Sequence, residues 1–160
     1  MTALNKIKKD NRTNIPLLLK ISPDINNSHI PEIADVAIKN NISAVILTNT
    51  TNSNRDNLTS ELKEEEGGLS GSPLHQISTN MIKKFYKELD SKIPIIGVGG
   101  VNSGKSAYEK IIAGASLLQL YTGLVFKGPS VAREIKKELI QILKTEKISN
   151  IKDAIGRDVN

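Results

Sequence analysis

The chain has 160 residues, 38% hydrophobic and 24% charged, with a formal net charge of +5. That length suffices for one domain with a real core and is short for two, and the absence of cysteine excludes disulfides, thiolate metal sites and cysteine nucleophiles. Lysines mixed with acids and an aromatic share of 3% argue against nucleic acid as the partner, while leaving room for an anionic ligand.

In chain order, the opening "MTALNKIKKDNRTNIP" lacks the long apolar stretch of a secretory signal. No run approaches the ~18 apolar residues of a membrane span, so the chain alone is expected to be soluble and cytoplasmic. A short helix is predicted over 3–9, then a strand in "PLLLKI" (16–21). Ile30, Ile33, Ala34, Ala37 and Ile38 form the stripe of a first long helix, followed by a strand in "AVILTN" (44–49). The irregular segment 49–72 is long for a compact domain, which marks it as functional or mobile, and its "ELKEEE" reads as a solvated charged run. Ile77, Met81, Ile82, Phe85 and Leu89 make the next stripe, with Ser72 expected as N-cap and Pro73 at the first helical position. Then come a strand in "PIIGVGG" (94–100), a stripe of Ala107, Ile111 and Ile112, and a strand in "SLLQLYTG" (116–123). "YTGLVFKG" suits a short extra helix. Val131, Ile135, Leu139 and Ile142, opened by Pro129, suit a long one, and 148–154 a last short one.

Short, nearly continuous apolar strands alternating with amphipathic helices indicate an α/β fold with a parallel sheet buried on both faces. Two architectures fit: four units of a (β/α)₈ barrel, which needs ~250 residues for all eight, or a small open sheet. In either, ligands bind at the carboxyl ends of the strands. All four ends are polar or glycine-rich: Lys20 with "SPD", then "TNTT" (48–51), "GVGG" and "YTG". Gly97, Gly99, Gly100 and Gly104 crowd into ten residues, as a turn pressed against a phosphate would require. Lys20 ends a buried apolar strand, where a cation calls for water or an anion. "TNTT" offers an amide and three hydroxyls to the edge of a planar heterocycle. His29 and His75 lie far apart without ligand spacing and read as structural or surface residues; no metal cluster, carboxylate pair or Ser-His-Asp set is visible. The residues alone reach half of a phosphate-cofactor site on an α/β scaffold.

"LLLKISPD", "ILTNTT", "EGGLSGSPL", "IIGVGGVNSG", "AGASLLQLYTGLVFKGP" and "AIGR", in this order and spacing, resemble the dihydroorotate dehydrogenases, and "GGLSGSPL" with "YTGLVFKGP" resembles their quinone-linked branch. The resemblance implies the C-terminal half of a (β/α)₈ barrel, with the whole of 1–160 as one partial FMN-binding domain. It implies FMN as cofactor, dihydroorotate and orotate as substrate and product, and a quinone as acceptor in pyrimidine synthesis. By motif, the cofactor-binding residues would be Lys20, Thr48, Gly71, Gly100, Tyr121 and Thr122, and the substrate-binding residues Asn49 and Thr50. The family's serine base belongs to an upstream half, so no catalytic residue is expected here and the chain alone is expected to be inactive. Members sit peripherally on a cell or organelle inner membrane, and the upstream half is the expected partner. The alternative is a non-catalytic fragment retaining at most phosphate or flavin binding. Another phosphate-binding barrel enzyme, resting on "GVGG" and the last loop alone, is a third reading.

Overall fold

A computed structural model describes residues 2–10, 14–53, 55–56 and 58–159. Helix α1 (Thr2–Asp10) precedes strand β1 (Leu18–Ile21), helix α2 (Ile30–Lys39), β2 (Ala44–Leu47), α3 (His75–Leu89) and β3 (Ile95–Val98). Then follow α4 (Gly104–Ile112), β4 (Ala115–Gln119), the six-residue α5 (Thr122–Lys127) and α6 (Val131–Thr145). The strands are shorter than the apolar runs that predict them: the first run begins two residues before β1, and the other three continue past β2, β3 and β4 into the loops at their carboxyl ends.

All three strand pairings are parallel and the order is β1-β2-β3-β4. That order decides between the two architectures. A doubly wound sheet reverses its strand order at a switch point, whereas right-handed crossovers between successive neighbours keep every helix on one face, as in a barrel. The helices do form one layer, α2 against α3, α3 against α4, and α4 against α6.

Register assigns the faces. Leu19, Val45, Ile95 and Ala115 stand in one row, and Ile21, Leu47, Gly97 and Leu118 in the next. These rows meet Ile30, Ala34, Ala37, Met81, Ile82, Phe85 and Leu89 from the helices in the main core. Burial of those apolar side chains, worth ~25 cal/mol per Å², is what holds the layer. The alternate row, Lys20, Ile46, Ile96 and Leu117, faces away from the helices.

Local signals differ from expectation in three places. Ser72 does not cap α3: residues Ser72–Leu74 form a 3₁₀ turn after Gly71, and α3 starts at His75. Ser72 instead accepts a hydrogen bond from the Asn102 amide at 3.1 Å. The expected last helix is a 3₁₀ turn, Ile151–Ala154, opened by the Asn150 side chain. α4 has a start that the apolar stripe did not mark, a capping box in which Ser103 and Ser106 satisfy each other's backbone N–H groups.

The segment 49–72 is folded back on itself. Thr51 and Leu69 exchange backbone hydrogen bonds as an isolated antiparallel bridge, and the Arg55 guanidinium donates to the carbonyls of Lys63, Glu65 and Gly67. The charged run lies in an exposed 3₁₀ turn, Glu61–Glu64, as expected of a solvated stretch.

Candidate functional site

At the carboxyl ends of the strands a cavity of about 250 Å³ opens between the loops. Lys20, Thr48, Asn49, Thr50, Gly71, Gly100, Tyr121 and Thr122 all line it. Eight residues spread over a hundred positions of sequence are thus brought to one wall by the parallel register. A second cavity of about 330 Å³ adjoins it, sharing Ser70, Gly71, Gly100, Val101, Thr122 and Gly123 and extending to Asn102, Phe126 and Lys127.

Lys20 stands at the end of β1 on the sheet face away from the helices, is exposed, and makes no hydrogen bond or ion pair among the described residues. Thr48 is only 2% exposed and its hydroxyl donates to the Asn49 carbonyl at 2.8 Å. Asn49 uses its side-chain oxygen to accept from the Thr50 N–H at 2.9 Å, which leaves the amide NH₂ as its outward donor. Immediately beyond, the Asp24 carboxylate gathers the loop: it accepts from the hydroxyls of Thr51 and Ser53 and from the Asn52 N–H. Burial raises the Asp24 pKa, but the three hydrogen bonds outweigh it and hold the carboxyl below its ordinary value. The "SPD" loop of β1 thereby anchors the "TNTT" loop of β2.

The glycine and α5 loops interlock. A Cβ on Gly123 would lie 2.6 Å from the Val101 carbonyl oxygen, so the two backbones touch where any larger residue would push them apart. The Ser70 and Thr122 hydroxyls meet at 2.9 Å, and Lys127 donates to the Asn102 carbonyl at 2.8 Å. Thr122 and Gly123 open α5, where the first N–H groups of a helix lack intrahelical acceptors.

Glycine at position 100 has a cause within the protein itself. Its φ is +69°, and a Cβ there would strike His75 Cβ at 2.5 Å and His75 Cα at 2.8 Å. Positions 97, 99 and 104 likewise abut Ile82 and Ala115, Leu74 and Ser78, and Glu138 of α6. The glycine cluster is therefore dictated by the helices packed behind the loop, and glycine there does not by itself indicate a ligand.

Neither histidine belongs to a group of potential metal ligands among the described residues. His29 is exposed on the outer edge beside β1. His75 is structural: its Nε2 lies 2.6 Å from Glu109 Oε2 and its Cβ abuts Gly100. Among the described residues no group of three or more acidic, His or Cys side chains could hold a metal ion, and no helix is long and apolar enough to cross a membrane.

The sequence reading passed over Lys110, whose side chain is fully buried behind the cavity. It also did not single out Ser70, Asn102 and Lys127, which line the second cavity and sit in a family motif, a glycine-rich turn and a short helix respectively.

Comparison with known proteins accounts for this arrangement. The sequence model of the dihydroorotate dehydrogenase family matches residues 1–143. The quinone-type enzyme of Azorhizobium caulinodans is 41% identical over 159 residues, spanning 99% of this chain and 45% of that protein. The Wigglesworthia glossinidia counterpart is 53% identical over 134 residues, 83% of this chain and 40% of that protein. The mitochondrial mouse enzyme, also named for its quinone, is 49% identical over 142 residues, 89% and 36%. The crystal structure of ligand-free DHODH from Eimeria tenella superposes with a TM-score of 0.86 at 44% identity, covering 89% of this chain and 39% of that one. The chain thus spans less than half the length of each of these relatives, and its four βα units form part of a (β/α)₈ barrel. It belongs to the dihydroorotate dehydrogenase family, on the quinone-linked branch.

Proposed function

We propose that the chain supplies the C-terminal units of an FMN-dependent dihydroorotate dehydrogenase, oxidising dihydroorotate to orotate with a quinone acceptor in pyrimidine synthesis. The observation that carries this is the convergence of all eight motif-derived residues on one cavity at the strand ends. FMN, when bound, supplies the two-electron acceptor for that oxidation. The residues present fit such a group, because a cavity of about 250 Å³ at the strand ends is lined by Gly71, Thr122 and Gly123 and, at the ends of β1 and β2, by Lys20 and Thr48. Gly100 and the backbone of Tyr121 and Thr122 are assigned to the phosphate end, Thr48 and Gly71 to the body of the cofactor, and Lys20 to its ring system. The Lys20 ammonium, without a partner among the described residues, is assigned the role of offsetting negative charge that builds there. Asn49 and Thr50, steadied through Asp24, are assigned to hydrogen bonds with the orotate ring.

The described residues that line the cavity include no carboxylate or histidine, and general bases contribute ~10²–10⁴-fold to such proton transfers. The proposal therefore includes the whole of 1–160 acting as one partial domain, completed by an upstream half that provides the base. By itself the chain is inactive.

Titration of FMN into the chain, followed by quenching of flavin fluorescence, tests the assignment. Lys20→Met, which removes an exposed cation unpaired among the described residues, should weaken binding, while Lys39→Met, at the exposed C-terminal end of α2, should not. Gly100→Val is unsuited to this purpose, since the clash with His75 would weaken any ligand indirectly. Equal FMN affinity in the two lysine variants overturns the placement of Lys20. Dihydroorotate-dependent quinone reduction by the chain alone overturns the inactive-fragment part of the reading.

A further inference from the structure

Lys110 is the one charged side chain among the described residues with no exposure, and it lies outside the eight residues assigned above. It reaches from α4 into the space between α3 and the sheet. Its ammonium donates to Ser78 Oγ at 3.1 Å, Thr79 Oγ1 at 3.1 Å and the His75 carbonyl at 3.3 Å. The directions of these bonds are determined by what the hydroxyls have already done. Thr79 donates its proton to the His75 carbonyl at 2.8 Å, and Ser78 donates its own to the Val98 carbonyl. Both therefore offer only lone pairs, and three acceptors face the three protons of an ammonium.

The next link leads to the cavity. The Val98 carbonyl accepts from Ser78 and also from the Thr48 N–H, at 3.1 Å. Val98 and Thr48 both line the cavity, and the Leu47 carbonyl lies within 3.4 Å of the same Ser78 hydroxyl. Removing the ammonium would leave Ser78 with a buried lone pair and no donor, and would withdraw the charge that fixes and polarises its bond to the Val98 carbonyl.

We propose that Lys110 is a positioning residue: acting through Ser78, it holds the carboxyl ends of β2 and β3 in register and so sets the cavity wall at Thr48 and Gly99. The wall is a feature of the chain itself; only its consequence for FMN rests on the function proposed above.

Amide hydrogen exchange by NMR on the 160-residue chain, in whatever oligomer it forms, reads the wall directly. The reporter is the Thr48 amide, bonded to Val98, and the control is the Val45 amide at the other end of β2, bonded to the Pro94 carbonyl at 3.1 Å. Lys110→Met and Lys110→Gln should speed Thr48 exchange about tenfold relative to Val45, the size expected for loss of a charged hydrogen bond. Equal acceleration at both amides, the mark of a lysine that only stabilises the fold, overturns the proposal. If neither Lys110 variant folds, Ser78→Ala and Thr79→Val decide: Ser78→Ala alone should free Thr48, and an unchanged Thr48 amide or an equal effect of both overturns it. FMN affinity should fall in parallel with Thr48 protection. If the wild-type chain binds no FMN, the function assigned above fails while the exchange data still judge Lys110.

Discussion

The two faces of the sheet are built from the same four strands and are almost equally apolar in sequence, yet they stand in different environments. On the helix side Val45, Leu47, Ile95 and Ala115 are 0%, 0%, 1% and 0% exposed. On the other side Leu18 is 44% and Leu117 62% exposed, beside the half-buried Ile46 and Val98 and a buried Ile96. The difference teaches that continuous apolar strands encode two layers of packing, of which the helices supply one. In a (β/α)₈ barrel the second layer is the filled interior, contributed by strands from around the ring.

The sharpest way to break this comparison is to truncate one residue on each side. Phe85→Ala, on the helix layer and fully buried, should destabilise by about 3–5 kcal/mol, against a typical domain stability of ~5–15 kcal/mol. Leu117→Ala, measured in a Leu18→Glu background at a dilution that keeps the chain monomeric, should change it by no more than ~0.5 kcal/mol. Chemical denaturation of both variants measures the contrast, and comparable losses would mean that the outer face is packed in solution.

A second expectation follows from the same exposure. A sheet that presents Leu18 and Leu117, with β1 and β4 as open edges, should self-associate. Sedimentation should report dimers or larger species for the wild type and a shift toward monomer for Leu18→Glu combined with Leu117→Glu. A compact wild-type monomer with one cooperative unfolding transition would contradict it.

The covered face also hides a charge, and pH exposes it. Burial lowers the Lys110 pKa to about 7, opposed by the charge of Glu109. An unfolded lysine titrates near ~10.4, so between these values the unfolded chain binds more protons and stability should rise with pH. The denaturation midpoint of the wild type should climb from pH 7 toward pH 10 relative to Lys110→Met, in which that slope is lost. Parallel profiles would indicate that the ammonium is not desolvated as its burial implies.

The smallest expected effect is local. Asp24→Asn keeps the shape of the side chain but weakens its bonds to Thr51, Asn52 and Ser53. Trypsin should cut the 49–72 segment at Arg55 or Lys63 faster, with little change in global stability. Unaltered cleavage would show that the Thr51–Leu69 bridge suffices to hold the loop.

Much of this molecule was legible beforehand because the relevant signals are local. Four apolar runs and the intervening helical stripes specified the βα order, and the family resemblance named eight residues that line one cavity. The strand ends themselves and the start of α3 were less legible, since a run of apolar letters does not reveal where sheet hydrogen bonding stops.

Sequence alone thus determined the alternation of elements, the parallel sheet and the family, all of which depend on periodicity and on motifs read along the chain. Tertiary structure decided what depends on distance between remote residues. The neighbour order β1-β2-β3-β4 rules out a doubly wound sheet. Gly99 and Gly100 of "GVGG" are pressed against Leu74, Ser78 and His75, so a Cβ is excluded there by packing whatever lies in front. Lys110, an ordinary letter within a helical stripe, became a fully buried cation tied to Ser78, Thr79 and the His75 carbonyl. Burial and hydrogen-bond direction arise only when α3, α4 and the sheet meet, and no pattern along one segment carries them.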